Sequence, residues 1–109
     1  MKKLFITAIA GLVFSATSVL ANGDGEVLFK DNGCTGCHQP AVETIGPSLK
    51  KIAEAYGGNK EELIKFLRGE GKPKVDPGKF NTMLPQLNVT KTMTDAELEA
   101  LADYILSQK

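Results

Sequence analysis

Residues 34–38 read Cys-Thr-Gly-Cys-His, and no other stretch of this 109-residue chain limits its possible folds as sharply. Two thiols with two residues between them, and an imidazole directly after the second, form the attachment pattern of c-type haem. The spacing follows from the chemistry. A porphyrin offers two vinyl groups, and each thiol can add across one of them to make a thioether. A His beside the second thioether is then held under the iron and can supply its proximal ligand. Thr35 and Gly36 are small, so the loop can lie close to the macrocycle edge. Cys34 and Cys37 are therefore candidate haem anchors, and His38 is a candidate iron ligand.

Other uses of these side chains fail on counting. Structural zinc takes a tetrahedral set, usually of Cys and His, whereas this chain has only two Cys and one His. A thioredoxin-like dithiol sits beside a βαβ pattern, and no convincing strand pattern occurs. A disulfide across two intervening residues closes a very short loop and stabilises little.

Met1-Lys2-Lys3 is followed by a charge-free, mostly apolar run from Leu4 to Ala21. A positive start, an apolar middle and small residues at a cutting point are the layout of a secretory signal. The run is near the lower length limit for a membrane span. Thr7, Gly11, Ser15, Thr17 and Ser18 dilute it, however, and Asn22-Gly23 follows at once. The expected division is a signal peptide at 1–21, cut after about Ala21, and one domain at 22–109. No Cys stands at that junction for a lipid anchor. Periplasmic location without stable membrane insertion follows, and export suits thiols destined for thioether attachment.

Cleavage leaves 88 residues carrying 11 basic and 13 acidic side chains, a net charge of −2. Nucleic-acid binding would leave a basic footprint, and none is present. A core this small is marginal without a staple, and covalent haem would serve as one.

The remaining pattern is helical. Asp24 to Asp31 reads as a short helix with acids in its first turn and Phe29 in the core. Gln39 to Ile45 reads as loop, and Gly46-Pro47 opens a second helix, Ser48 to Tyr56, with Leu49, Ile52, Ala53 and Tyr56 on one stripe. Asn59 and Glu62 resemble a capping box for a third helix ending near Gly69. Residues 69–90 are rich in Gly, Pro and Lys and show little periodicity, so they read as a long irregular segment of the functional kind. Thr94 and Glu97 cap the last helix, about Asp95 to Ser107, with Leu98, Leu101, Ala102 and Ile105 inward.

With His38 on one side of the iron, the second axial position needs a ligand or stays open for chemistry. No second His exists. A thioether favours ferrous over ferric iron and raises the potential. Beyond residue 21 there are two Met residues, Met83 in the irregular segment and Met93 just before the last helix. Met83, with Pro85 to stiffen the backbone, is the candidate ligand, and Met93 is assigned to the core as a gap-filler.

These residues together resemble the short monohaem bacterial class I cytochromes c. The likeness covers about residues 23–109. It rests on Glu26-Val-Leu-Phe29, Cys34-Thr-Gly-Cys-His38, Ile45-Gly-Pro47, Met83-Leu-Pro85-Gln86, Asp95-Ala-Glu-Leu98 and Ala102-Asp-Tyr-Ile105 in that order. The resemblance implies an all-α fold of four to five helices around one covalent haem, with the first and last helices crossing near Phe29 and Tyr104. It implies His38 and Met83 as axial ligands and Cys34 and Cys37 as thioether anchors. It also implies that the Pro47 carbonyl accepts the other ring N–H of His38, and that the Gln86 amide donates to the Met sulfur. Several relatives carry a Trp before the axial Met that bonds a haem propionate, and this chain has no Trp. The stretch Leu87 to Met93 also looks longer than in the shortest relatives, with room for an extra turn.

The function expected is that of a soluble, monomeric one-electron carrier, not an enzyme. It would shuttle electrons between a quinol-oxidising cytochrome complex and a terminal oxidase or reductase in the periplasm. Lys30, Lys72, Lys74 and Lys79 read more readily as solvated charges than as a ring steering an acidic partner. The alternatives are a five-coordinate haem sensor or peroxidase-like protein, and a haem-free Cys-x-x-Cys thiol–disulfide protein.

Overall fold

The last helix is the hub. In a computed structural model describing residues 22–109, α5 (Asp95–Leu106) packs against α1 (Asn22–Asp31), α2 (Leu49–Tyr56) and α3 (Lys60–Leu67). A fourth helix, α4 (Phe80–Thr90), lies between α3 and α5 in sequence, and no strand occurs among the described residues. The expected signal peptide, residues 1–21, lies outside the described residues. No described helix is long and apolar enough to cross a membrane.

Local chemistry explains the helix ends. The Thr94 hydroxyl accepts from the Glu97 N–H at 3.1 Å, and the Glu97 carboxylate accepts from the Thr94 N–H at 2.9 Å. Two donors that α5 would otherwise leave bare are thereby satisfied. At α3 the Asn59 side chain accepts from the Glu62 N–H at 3.2 Å, but Glu62 answers the Asn59 side-chain amide rather than its backbone. At α2 the cap is Ser48, whose hydroxyl accepts from the Lys51 N–H at 3.1 Å. Pro47 thus stands one residue ahead of the cap, not inside the helix, and its carbonyl is free for another use.

The connected apolar core draws on Phe29, Cys34, Leu49, Tyr56, Leu63, Leu67, Leu98, Leu101, Ala102 and Ile105. At the α1–α5 crossing the Phe29 and Tyr104 rings lie 5.4 Å apart, tilted by 51°. Gly25 is what lets these helices approach. A Cβ there would land on the Ala100 carbonyl and come within 2.8 Å of Tyr104 Cβ. Met93 packs against the core as a partly buried side chain.

The segment 69–90 corrects the sequence reading. A 3-10 turn at Pro77–Lys79 feeds directly into α4, so half of that stretch is helical and Met83 sits on a helix. Met83, Gln86, Leu87 and Thr90 turn inward at helical spacing. Because Gln86 and Thr90 are polar, the apolar periodicity was broken at two of four inward positions. Pro85 deprives the Asn81 carbonyl of its helical donor, and Asn81 is exposed, so solvent can serve it. The extra residues before the last helix are the end of α4 and the short turn after it.

Candidate haem site

The haem-attachment motif folds as a 3-10 turn, Cys34–Gly36, in which the Cys34 carbonyl accepts from the N–H groups of Cys37 and His38 at 3.2 and 3.0 Å. The loop that follows is stitched back onto it. The Cys37 carbonyl accepts from the Gly46 N–H and from the Thr44 hydroxyl, both at 2.8 Å. The Leu49 N–H donates to the Gln39 carbonyl at 2.9 Å, which ties the same loop to the start of α2.

This stitching lays Gly46 and Pro47 against one edge of the His38 ring. His38 Nδ1 donates to the Pro47 carbonyl at 2.8 Å. A Cβ on Gly46 would sit 2.7 Å from His38 Cε1, so the closeness of the loop depends on glycine here. The bond fixes the tautomer, with the proton on Nδ1, and leaves Nε2 as the nitrogen available to a metal.

Cys34, Cys37, His38 and Met83 all line one cleft, whose space counted to its open mouth is about 910 Å³. Its walls are largely apolar, with Phe29, Leu49, Ile52, Leu63, Phe66 and Ile105 among them. Met93 does not line it. Burial pushes the Cys34 thiol up to about 11, whereas thiols built for exchange are held low by cationic surroundings.

α4 is fastened to the rest at two points by side chain to backbone bonds. The Thr90 hydroxyl donates to the Leu67 carbonyl at 2.5 Å. The Gln86 amide donates to the Asn32 carbonyl at 2.7 Å. That second bond corrects the expectation for Gln86. The amide serves the end of α1 instead of the Met83 sulfur, and Gln86 does not line the cleft. The four lysines do not form one ring either. Lys74 and Lys79 line the cleft and pair with Glu62 at 3.0 Å and Glu43 at 3.3 Å. Lys30 pairs with Glu26 at 3.0 Å, and neither it nor Lys72 is in the lining.

Comparison with known proteins bears on what such a cleft holds. The chain matches the family described as Cytochrome c over residues 23–109. It belongs to the cytochrome c family. Cytochrome c-552 of Hydrogenobacter thermophilus is 36% identical over 110 residues, covering 100% of both chains. Cytochrome c-551 of Pseudomonas aeruginosa is 30% identical over 106 residues, covering 94% of this chain and 96% of its own. A menaquinol:cytochrome c reductase cytochrome c subunit of Bacillus subtilis is 30% identical over 97 residues, 87% of this chain but only 32% of that protein.

A small monohaem class I cytochrome c is an electron-transfer protein, not an enzyme, that carries one covalently bound c-type haem and works with redox partners. The cleft suits that group. It pairs two thiols with an oriented imidazole on one wall and a thioether on α4, inside apolar walls that would exclude water from the iron.

Proposed function

We propose that this cytochrome c is a periplasmic, soluble one-electron carrier whose haem is anchored through Cys34 and Cys37 and ligated by His38 and Met83. The haem supplies a reversible ferric–ferrous couple. His38, held at Nδ1 by Pro47, would present Nε2 to the iron without rotating between oxidation states. Met83, a neutral and soft donor, would favour the ferrous form and raise the potential. The apolar walls would limit solvent rearrangement during transfer. The observation that carries the reading is the convergence of Cys34, Cys37, His38 and Met83, separated by up to 49 positions, on one apolar cleft.

The partners proposed are a quinol-oxidising cytochrome complex as donor and a terminal oxidase or reductase as acceptor. Support comes from the Bacillus subtilis relative, named as the cytochrome c subunit of a menaquinol:cytochrome c reductase. Residues 1–21 would serve as a cleaved export signal and 22–109 as the single working domain.

The test is ligand replacement in haem-loaded protein from a host that matures c-type cytochromes. Met83→Ala should lose the iron–sulfur absorption band of the oxidised protein, bind carbon monoxide when reduced and show a lower midpoint potential. Met93→Ala should keep the band. Loss of the band in Met93→Ala, or tight carbon monoxide binding by the unmodified protein, would overturn the ligand assignment.

A further inference from the structure

Three charged side chains other than His38 line the cleft among the described residues, and all three come from one short segment: Lys74, Asp76 and Lys79. A haem inserted by its thioether edge must bring its two propionates out of apolar surroundings at a polar rim, because burying an unpaired charge is costly. The concentration of charge on residues 74–79 locates that rim.

Asp76 is built to face it. Its backbone is left-handed, with φ 45° and ψ 60°, directly before Pro77. Asp is among the few residues that tolerate this region, at a cost of about 1–2 kcal/mol. The conformation turns the carboxylate inward, where Oδ1 accepts from Lys51 Nζ at 3.0 Å. Oδ2 is buried without a hydrogen-bond partner, and Lys79 Nζ stands 3.9 Å from it, beyond bonding range. A buried acceptor left bare is destabilising, so this oxygen is placed for a donor that the polypeptide does not provide.

Resting on the haem reading above, we propose that Lys74, Asp76 and Lys79 are the seat of the haem propionates. Lys79 would exchange Glu43, and Lys74 would exchange Glu62, for propionate oxygens. The free Asp76 oxygen accepts from the protonated form of one propionate. The other groups facing this rim are Glu43 from the loop before α2, Lys51 and Tyr56 from α2, and Glu62 from α3. Tyr56 stays a neutral phenol, since burial pushes it up from its ordinary value. The three lysines already balance Glu43, Glu62 and Asp76, so two arriving propionates leave an excess of negative charge that favours keeping one proton.

The sign of the resulting pH dependence is set by charge. Ferric iron carries one more positive charge than ferrous iron, so the oxidised protein holds a propionate proton less tightly. Within a bounded pH window, reduction takes one electron from the donor protein and one proton from solvent onto the carboxyl. The midpoint potential falls with pH inside that window and is flat on either side. Asp76, a like charge, moves the window up; Lys79, an opposite charge, moves it down.

The test is the midpoint potential of the haem-loaded protein against pH. Asp76→Asn, which keeps the tolerance for left-handed backbone, should move the window about one pH unit lower, a tenfold change in proton affinity. Lys79→Met should move it in the opposite sense by a similar amount, and Lys74→Met should follow Lys79→Met. Lys79→Arg should restore the original position, and Lys72→Met, outside the lining, should leave the profile unchanged. Red protein in which Asp76→Asn and Lys79→Met coincide with the parent, or shift the same way, overturns the seat alone. Colourless mature protein without a haem mass increment overturns the haem reading and the seat with it.

Discussion

The α1–α5 crossing and the wall formed by residues 74–90 are held by different physics. The crossing is dry and close-packed: Phe29 against Tyr104, Gly25 under Ala100, Leu98 and Leu101 with almost no exposed surface. The wall carries a half-buried Met83, a left-handed Asp76 with a bare oxygen, and lysines tied to carboxylates at the surface. Its helix buries Leu87 and Thr90, yet the connected core draws its residues from the other helices and the thiol turn. One region is complete as polypeptide. The other is arranged around a group that is not polypeptide, and it is there that backbone strain and an unsatisfied polar atom collect.

Gly25→Ala should damage the crossing most. The new methyl lands on the Ala100 carbonyl, which belongs to α5 backbone and cannot swing aside as a side chain would. A loss of about 3 kcal/mol, the upper end for overpacking, is expected in denaturant unfolding of haem-loaded protein. The iron–sulfur band and midpoint potential should stay at parental values, because the crossing touches the cleft wall only indirectly. A Gly25→Ala protein that keeps full stability but loses the band would erase the distinction between the regions.

Thr90→Val tests the wall by a nearly isosteric change. It removes the hydroxyl that donates to the Leu67 carbonyl and leaves that acceptor bare inside the protein. The expected cost is about 1–2 kcal/mol, smaller than at Gly25. The iron–sulfur band should now disappear at a lower temperature than the far-ultraviolet helical signal, because α4 is the element released. Simultaneous loss of both signals would mean that α4 melts only with the frame.

The frame was readable because its signals are local and redundant. The Thr94–Glu97 box, the Ser48–Tyr56 stripe and the Phe29–Tyr104 pair each state the same helices by independent means, and the fifth helix alone escaped. It escaped because Pro85 argues against helix and because Gln86 and Thr90 occupy inward positions where apolar periodicity was sought. Cys34, Cys37 and His38 stand together in the chain, so bringing them to one cleft requires only a turn. Met83 joined them on chemistry, since few soft donors were available. Asp76 gave no signal at all. Its placement depends on a left-handed residue before a proline and on Lys51, 25 positions away, neither of which any spacing rule encodes.

Gln86→Ala is the smallest and most discriminating change. Position 86 follows Met83 by three residues on α4, so both turn to the same side of the helix, and an amide so placed can answer either the sulfur or a neighbouring backbone. The structure gives its Nε2 to the Asn32 carbonyl at 2.7 Å, at the end of α1, where helical carbonyls lack intrahelical donors. If that bond is its whole role, Gln86→Ala should cost about 1 kcal/mol and leave the midpoint potential unchanged. A donor lost from the sulfur would instead alter the electron density offered to iron and move the potential while barely touching stability. The two outcomes separate on two instruments, a denaturation curve and a redox titration. Only the first outcome is compatible with α4 being a wall fastened to the frame by its polar inward residues, with Met83 alone reserved for the cleft.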